Sequence, residues 1–226
     1  MNNDFSFLYT ERLFPSYKKR TVAPRLIEEC QYPWQILTHL SDYILRLGPT
    51  LKSQGFEQIG EQVWVSKSAK LSKSAEIEGA AIICESAEIR HSAYIRGNVI
   101  VGRECVVGNS TELKNSLLFD RVQVPHFNYI GDSIMGFLSH TGAGVILSNV
   151  KGDRRDVEIS TPLGRVKTNM RKLGAILGER AEIGCNAVLN PGSVVGVGSR
   201  VYPLSSVKGY IPEGSIYKSG VTVKIV

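Results

Sequence analysis

The sequence repeats with a period of six residues. From Val65 onward a bulky aliphatic or aromatic residue occupies every sixth position, and a mostly small residue follows four positions after each one. Neither an α-helix, with its period of 3.6, nor an amphipathic strand, with its period of 2, produces this spacing. A short strand followed by a tight corner does, and three such units make one triangular coil of 18 residues. The first bulky series is Val65, Leu71, Ile77, Ile83, Ile89, Ile95, Val101, Val107, Leu113 and Phe119.

The repeat is interrupted and then returns. The period slips through Pro125 to Tyr129, resumes at Met135, and gives way to a second array from Leu177. Coils of this kind stack as parallel rungs, so the predicted fold class is mainly β, a parallel β-helix of hexapeptide repeats. The bulky positions of the second array are Leu177, Ile183, Leu189, Val195, Val201 and Val207.

Two stretches lie outside the repeat. Residues 1–58 predict a helical cap or extension ahead of the β-helix at 59–226, because an apolar stripe with helical spacing ends at Gly48-Pro49. Such a segment is expected to cover the open end of the solenoid, and an oligomer contact is the alternative. Residues 150–176 are polar and charged, which predicts an inserted loop or hairpin of the kind that often carries function. The apolar stripe consists of Ile36, Leu37, Leu40, Ile44 and Leu47.

Composition narrows the setting. The 226 residues carry a formal net charge of +6, which is compatible with nucleic acid, a membrane surface or a phosphorylated metabolite as partner. The four cysteines have no CxxC spacing, which argues against a zinc knuckle or a disulfide framework and fits a reducing compartment. No apolar run approaches the length of a membrane span, and the first residues resemble no secretory signal. The expected location is therefore the cytoplasm.

The coil period places two cations one above the other. Arg96 follows Ile95 and Lys114 follows Leu113, so both occupy the outward slot of their hexapeptides, one coil apart. Backbones of adjacent rungs lie about 4.8 Å apart, and two cations that close repel each other unless an anion lies between them. A phosphate would meet that need, because Arg offers a planar fork and Lys a point charge. Two solvated surface residues are the alternative interpretation.

A histidine and a tyrosine lie where the period slips. His126 follows Pro125, and Tyr129 comes three residues later. A break in a regular solenoid is expected to form a bulge that aims side chains at a site. Histidine is the usual general base near neutral pH, and the phenol of Tyr129 could donate to the same anion as Arg96 and Lys114. A purely structural histidine is the alternative.

Three segments carry a family resemblance. Residues 107–116 (VGNSTELKNS) and 125–133 (PHFNYIGDS) resemble the active-site stretch in the acetyltransferase half of bifunctional glucosamine-1-phosphate N-acetyltransferase/uridylyltransferases. Residues 164–178 (GRVKTNMRKLGAILG) are similar to an insertion shared by the archaeal-type members. The resemblance covers about residues 60–210. It implies a left-handed β-helix that transfers acetyl from acetyl-CoA to the amine of glucosamine-1-phosphate or galactosamine-1-phosphate, with no metal required.

The resemblance also implies roles for individual residues. His126 would be the general base for the attacking amine, and Asn149 would contact the amine and the acetyl group. The backbone amide of Ala143 would face the developing oxyanion. Lys172 would reach the site of a neighbouring subunit, in a homotrimer with active sites between subunits. The residues expected to bind the sugar phosphate are Arg96, Lys114, Tyr129, His140 and Lys172, and those expected to bind coenzyme A are Ala143, Cys185, Pro203 and Lys218.

The chain departs from the family pattern at several positions. His140 stands where the bacterial members have a sugar-binding asparagine, which leaves the identity of the sugar open. Val150 replaces a tyrosine, and Lys218 only lies near the position of an arginine that helps to hold coenzyme A. Residues 1–55 contain no Gly-rich nucleotide-binding loop, so no uridylyltransferase activity is expected.

Three other functions compete with acetyl transfer. A non-catalytic trimeric β-helix that binds sugar phosphates or serves as an assembly module is the main alternative, for which His140 and Val150 leave room. A zinc-dependent β-helical carbonic anhydrase is disfavoured, because His126 and His140 are fourteen residues apart and position 131 is a glycine. Nucleic-acid binding is disfavoured because the basic residues alternate with acidic ones and have no aromatic stacking platform.

Overall fold

Residues 4–224, described by a computed structural model, form a left-handed parallel β-helix with short helices packed along one side. The predicted fold class is therefore confirmed. Strands one coil apart pair in parallel, with Ala81 opposite Val63 and Glu88 opposite Lys70, each 18 residues further along the chain. Three flat faces result, and the corners between them contain residues with positive φ.

The regular elements are short, as a hexapeptide solenoid requires. The helices are α1 (Thr10–Leu13), α2 (Tyr17–Arg20), α3 (Pro24–Glu28) and α4 (Pro33–Leu47), with 3-10 turns at Ser6–Leu8 and Gly48–Gln54. The strands are β1 (Phe56–Gly60), β2 (Val63–Ser66), β3 (Lys70–Leu71), β4 (Glu76–Glu78), β5 (Ala81–Ile83), β6 (Glu88–Ile89), β7 (Tyr94–Arg96), β8 (Val99–Val101), β9 (Val106–Asn109), β10 (Glu112–Leu118), β11 (Gln123–His126), β12 (Tyr129–Met135), β13 (His140–Thr141), β14 (Ile146–Leu147), β15 (Glu158–Thr161), β16 (Gly164–Lys167), β17 (Ala175–Leu177), β18 (Glu182–Ile183), β19 (Val188–Leu189), β20 (Ser193–Val195), β21 (Arg200–Val201), β22 (Ser206–Val207), β23 (Tyr210–Ile211), β24 (Ser215–Lys218) and β25 (Val221–Lys224).

The parallel pairings sort the strands into three faces. Face 1 contains β2, β5, β8, β17, β20 and β23, and face 2 contains β3, β6, β9, β11, β13, β18, β21 and β24. Face 3 contains β4, β7, β14, β19 and β22. Strands β10 and β12 run around a corner, so that their first halves belong to face 3 and their second halves to face 1.

The repeat first shifts at Asn115, before the segment in which the sequence predicted the slip. Leu118, not Phe119, pairs with Val101 in the inward column, only five residues after Leu113. The corner at Asn115 is therefore one residue shorter than the corner before it, and the corner at Asp132 repeats the shortening.

The predicted bulge at His126 is absent from the strand pairing. Strand β11 stays in register with β9 from Gln123 opposite Val106 to His126 opposite Asn109, a constant step of 17 residues. The irregularity lies instead at the opposite end of face 3, in the two shortened corners.

The N-terminal helices lie along face 1 and not across the open end of the solenoid. The predicted helical stripe is present, because α4 buries Ile36, Leu37, Leu40 and Ile44. Helix α4 packs on β8, β10 and β12, in the middle of the β-helix. Residues 4–55, called here the strap, are therefore a lateral cover.

The outward side chains of face 1 explain this position. In most β-helix strands the outward residue is polar, whereas on face 1 it is apolar in one coil after another and is buried. Strands that are apolar on both sides require cover on both sides. The residues concerned are Trp64, Ile82, Ile100, Leu117, Ile134, Ile176 and Val194.

The strap is fixed at both ends and in its middle. The aromatic rings of Phe14 and Phe119 lie 4.8 Å apart, and those of Phe7 and Tyr210 lie 4.6 Å apart. Ser16 donates two hydrogen bonds to the buried carboxylate of Glu179, from its backbone N–H at 2.7 Å and its hydroxyl at 2.6 Å. A side chain at Gly48 would overlap the ring of Trp64, so the backbone of the strap lies directly on the first coil.

The predicted insertion leaves the solenoid after Asn149 and returns at Leu173, whose backbone N–H donates to the carbonyl of Asn149 at 3.0 Å. It contains an antiparallel hairpin of β15 and β16, anchored by the buried side chains of Val157 and Ile159. Within residues 4–224, none of the helices has both the length and the apolar character of a membrane span.

Candidate active site

The two shortened corners bring polar side chains from three coils into contact. Asp132 lies at the centre and is 4% exposed. Its carboxylate accepts hydrogen bonds from Lys114 Nζ at 3.2 and 3.4 Å, from Asn115 Nδ2 at 2.8 Å and from Asn149 Nδ2 at 2.5 Å. The positions follow from register, because residues 115, 132 and 149 lie one 17-residue coil apart.

Tyr129 joins the same cluster. Its hydroxyl accepts a hydrogen bond from Asn149 Nδ2 at 3.2 Å. Burial, followed by the negative charge of Glu112, raises the pKa of the Tyr129 phenol above its ordinary value. The phenol therefore stays protonated at neutral pH, and its own O–H is available for donation to a ligand.

Space at this corner depends on Gly131. A Cβ atom there would lie 2.6 Å from the hydroxyl of Tyr129 and 2.8 Å from Nδ2 of Asn149, closer than side chains tolerate. Gly131 pairs with Lys114 across β10 and β12, so it lies directly beneath that lysine. Because Gly131 has no side chain, the hydroxyl of Tyr129 and the amide of Asn149 can meet above its backbone.

Arg96 and Lys114 both occupy the predicted column, but each has a carboxylate partner within the chain. Arg96 pairs with Glu112 at 2.8 Å, and the two side chains are 45% and 32% exposed. Lys114 pairs with Asp132, and these side chains are 26% and 5% exposed. An exposed ion pair contributes little to stability, so its cation can readily exchange the carboxylate for a ligand. Separating a buried ion pair costs much more free energy. Arg96 is therefore the more available of the two cations.

His126 lies at the opposite edge of face 3. It ends β11 and is exposed, and within residues 4–224 its ring makes no hydrogen bond. Its carbonyl accepts from Gly144, while Ala143 accepts from Asn186 and Cys185 accepts from Leu204, each through backbone N–H groups. The predicted residues His126, Ala143, Cys185 and Pro203 therefore stack on successive coils along one edge.

Lys218 lies at the end of this edge. Its Nζ is 5.0 Å from the ring centroid of Tyr202, the neighbour of Pro203. The edge is narrow: a Cβ at Gly142 would lie 2.8 Å from Cys185 Sγ, and one at Gly184 would lie 2.5 Å from the nitrogen of Pro203. Small residues such as Gly142 and Gly184 therefore line the edge between His126 and the exposed ammonium group of Lys218.

Two other predicted residues lie outside both clusters within one chain. His140 is on face 2, where Nδ1 lies 2.9 Å from Glu182 Oε2. Lys172 is exposed beside the base of the insertion. Beside Asn149, the insertion and the last coils of face 3 enclose a cleft of about 500 Å³ lined by Lys151, Arg165 and Lys208 among others. In the described part of the chain, no group of His, Cys, Asp and Glu side chains is arranged to hold a metal ion.

The sequence interpretation missed Asp132, Asn115 and Glu112. Asp132 takes φ 46° and Asn115 φ 47°, a backbone region that Asp and Asn tolerate well, so both read as ordinary corner residues. The available signal was the recurrence of Asn or Asp at 115, 132 and 149, one shortened coil apart.

Comparison with known proteins agrees with the resemblance. A family model described as "GMPPB C-terminal domain" matches residues 77–167. The "Bifunctional sugar-1-phosphate nucleotidylyltransferase/acetyltransferase" of Sulfurisphaera tokodaii is 31% identical over 109 residues, covering 48% of this chain and 27% of that protein. The "Bifunctional protein GlmU" of Methanococcus maripaludis strain C5 is 34% identical over 92 residues, covering 41% of this chain and 22% of that protein.

The chain thus spans about a quarter of the length of these relatives. The predicted resemblance to bifunctional sugar-1-phosphate enzymes with an acetyltransferase part is confirmed. Among solved structures, the UDP-N-acetylglucosamine O-acyltransferase of Moraxella catarrhalis RH4 superposes with a TM-score of 0.45 at 14% identity, covering 70% of this chain and 69% of that chain.

Proposed function

We propose that this chain is an acetyl-CoA-dependent N-acetyltransferase acting on an amino-sugar 1-phosphate, with glucosamine-1-phosphate or galactosamine-1-phosphate as acceptor, and that it lacks uridylyltransferase activity. One observation carries the proposal. Lys114 and Asn149, which the resemblance assigns to the substrate, come from different coils and both bind one buried carboxylate, and Tyr129 joins them through Asn149. Such a cluster at a structural irregularity is typical of a site.

The phosphate would bind on face 3. Arg96 can leave its exposed partner Glu112 and turn its guanidinium to a phosphate, and the protonated phenol of Tyr129 can donate to the same group. Lys114 would remain paired with Asp132 and offer a remaining N–H. The strand between this cluster and the His126 edge is three residues long, about 10 Å, so the side chains of Asn149 and His126 can reach toward one amine from opposite ends of face 3.

The edge from His126 to Lys218 fits coenzyme A. The small residues at Ala143, Cys185 and Pro203 leave room for a thin pantetheine arm, and Lys218 would meet a phosphate at the far end. His126 is at the start of the edge, and its ring is free within the described chain. The thioester would then lie beside the imidazole.

The reaction needs only these groups. The amine nitrogen of the sugar attacks the thioester carbonyl, His126 takes one amine proton, and the backbone N–H of Ala143 faces the oxyanion. The C–S bond then breaks, the coenzyme A thiolate leaves, and the proton returns to that sulfur. The products are the N-acetylated sugar phosphate and free coenzyme A.

A second copy of the chain would complete the site. Face 3 of one prism is open to solvent, and Phe127 and Leu204, 58% and 80% exposed, lie on the His126 edge. Both side chains would be covered in such an assembly. A homotrimer would place Lys172 or His140 of a neighbour against face 3.

A substrate panel tests the proposal. Acetyl-CoA consumption would be measured with glucosamine-1-phosphate, galactosamine-1-phosphate, glucosamine-6-phosphate and free glucosamine, and pyrophosphate release with UTP. Turnover only on a 1-phosphate, with no pyrophosphate, is the expected result. Binding of a sugar phosphate without turnover of any acceptor would instead support a non-catalytic binding protein.

Replacing Arg96 by glutamine is expected to raise KM for the sugar phosphate about 10-fold and to change kcat by less than about 3-fold. Arg96 would contact the phosphate equally in ground state and transition state, and the loss of uniform binding appears in KM. Steady-state kinetics at varied sugar phosphate would measure both constants. Arg121→Gln, which breaks a similar exposed pair with Glu104, serves as control. An unchanged KM would remove Arg96 from the phosphate site.

Replacing Gly131 by alanine is expected to lower kcat/KM about 100-fold. The added Cβ would force apart Tyr129 Oη and Asn149 Nδ2, and displacement of catalytic groups by about 1 Å costs that order of rate. The acetyl-transfer assay would be run beside Gly152→Ala, where no heavy atom lies within 4 Å of the new methyl group. Equal activity of the two variants would contradict the prediction.

A further inference from the structure

The buried carboxylate of Asp132 has no assigned role, yet it contacts three polar side chains at the shortened corners. It accepts from Lys114, Asn115 and Asn149, which together use both of its oxygens. An ionised carboxylate can accept about four hydrogen bonds, so these donors nearly fill it. The carboxylate therefore has little capacity left to accept a hydrogen bond from a ligand. Its effect is on the positions of Lys114, Asn115 and Asn149.

Asp132 determines which way the amide of Asn149 faces. A carboxylate only accepts hydrogen bonds, so the group of Asn149 that faces it must be the NH2 end. The same Nδ2 reaches the hydroxyl of Tyr129. A flipped amide would put its carbonyl oxygen against the negative charge of Asp132. The carbonyl Oδ1 of Asn149 is therefore kept free as an acceptor.

Asp132 also holds Lys114 in place. The pair is mostly buried, and charge-assisted hydrogen bonds are stronger and more directional than neutral ones. Removal of the negative charge would leave the ammonium without a compensating partner at 3.2 Å. Without that charge the ammonium remains able to bind the phosphate, so the kinetic effect of losing Asp132 is expected through Asn149.

We propose that Asp132 is a positioning residue that fixes the amide of Asn149, so that Oδ1 accepts a hydrogen bond from the acceptor amine while that amine attacks. The inference rests on the proposed acetyl transfer. The accepted hydrogen bond aligns the nitrogen lone pair with the thioester and strengthens as positive charge develops on the nitrogen. Asp132 itself touches no substrate atom.

The substitution Asp132→Asn tests this with little disturbance to the backbone. Asp132 has φ 46°, and asparagine tolerates this region as well as aspartate does. The new amide has one accepting oxygen for three donors, so Asn149 can turn over. Asp120→Asn is the matched control, because Asp120 is also buried and paired with a cation, Arg103 at 3.3 Å, away from the shortened corners.

We expect Asp132→Asn to lower kcat 10- to 100-fold with KM for the sugar phosphate changed less than 3-fold, and Asp120→Asn to leave both constants unchanged. The double variant Asp132→Asn/Asn149→Ala should be no slower than Asn149→Ala alone, because the two residues act as a unit. The proposal would be overturned if the double variant lost activity by the product of the two single losses. It would also be overturned if Asp132→Asn kept the kcat of the wild type.

A crystal structure of Asp132→Asn separates this inference from the proposed function. The expected result is that Asn149 Nδ2 and Tyr129 Oη move beyond hydrogen-bond distance, or that the Asn149 amide turns over. Retention of the present Asn149 geometry would overturn the positioning role. Absence of turnover by the wild-type chain on every acceptor would instead refute the acetyl-transfer proposal, whatever that structure shows.

Discussion

Replacing His126 by alanine is expected to reduce kcat about 1000-fold and to shift the melting temperature by no more than about 2 °C. A positioned general base contributes 10² to 10⁴ in rate. The ring is exposed and has no hydrogen-bond partner within residues 4–224, so its removal costs little stability. Acetyl-CoA consumption and thermal denaturation would measure the two effects.

His91 supplies a matched control for this prediction. It is an exposed histidine on the same edge of the solenoid, two coils before His126, since Ile89 pairs with Val107 and Asn109 pairs with His126. His91→Ala should leave kcat unchanged. If both variants lose activity, or neither does, His126 is not the base. Restoration of turnover in His126→Ala by added imidazole would support the assignment directly.

Replacing Ile100 by aspartate is expected to lower the free energy of unfolding by about 4 kcal/mol or more. Ile100 is an outward residue of face 1 and is fully buried beneath helix α4 of the strap. Burial of an unpaired charge belongs to the few mechanisms with effects this large. Since whole domains are stable by only about 5–15 kcal/mol, the variant should be largely unfolded or insoluble.

The control for Ile100→Asp is Val188→Asp. Val188 is also an outward strand residue, but it lies on face 3 and is 37% exposed. Urea unfolding should show a midpoint close to that of the wild type for Val188→Asp. A similar midpoint for Ile100→Asp would mean that the strap detaches easily and that face 1 is not a true interior surface.

The sequence predicted the solenoid because every coil repeats the same steric rule, one bulky and one small inward residue. It misplaced the frame at Phe119, because a bulky residue there satisfied the period although it packs on Phe14 and not inside the prism. It also placed the strap at an end. Strands such as Val99–Val101 and Ala81–Ile83 are apolar at all three positions. A strand of this kind must be covered on both sides, so these triplets already indicated that another segment packs on face 1.

The candidate site was predictable in part. Register alone put Arg96 above Lys114, but the carboxylates that neutralise them come from Glu112 and Asp132, whose contacts depend on side-chain directions at the corners. The column of His126, Ala143, Cys185 and Pro203 came from resemblance, and the structure aligns it along one edge. The roles of these residues remain predictions.

The strap changes how the coils depend on one another. In a simple solenoid each repeat contacts only its neighbours, so ends can fray and stability is a sum of local terms. Here one segment touches the first coil at Trp64, an intermediate coil through Phe119, and the last coils at Glu179 and Tyr210. Unfolding of a coil at either end therefore also breaks contacts of the strap, which binds the other coils. We expect the β-helix to unfold cooperatively along its length, with the shortened corners held in register between coils that the strap fixes.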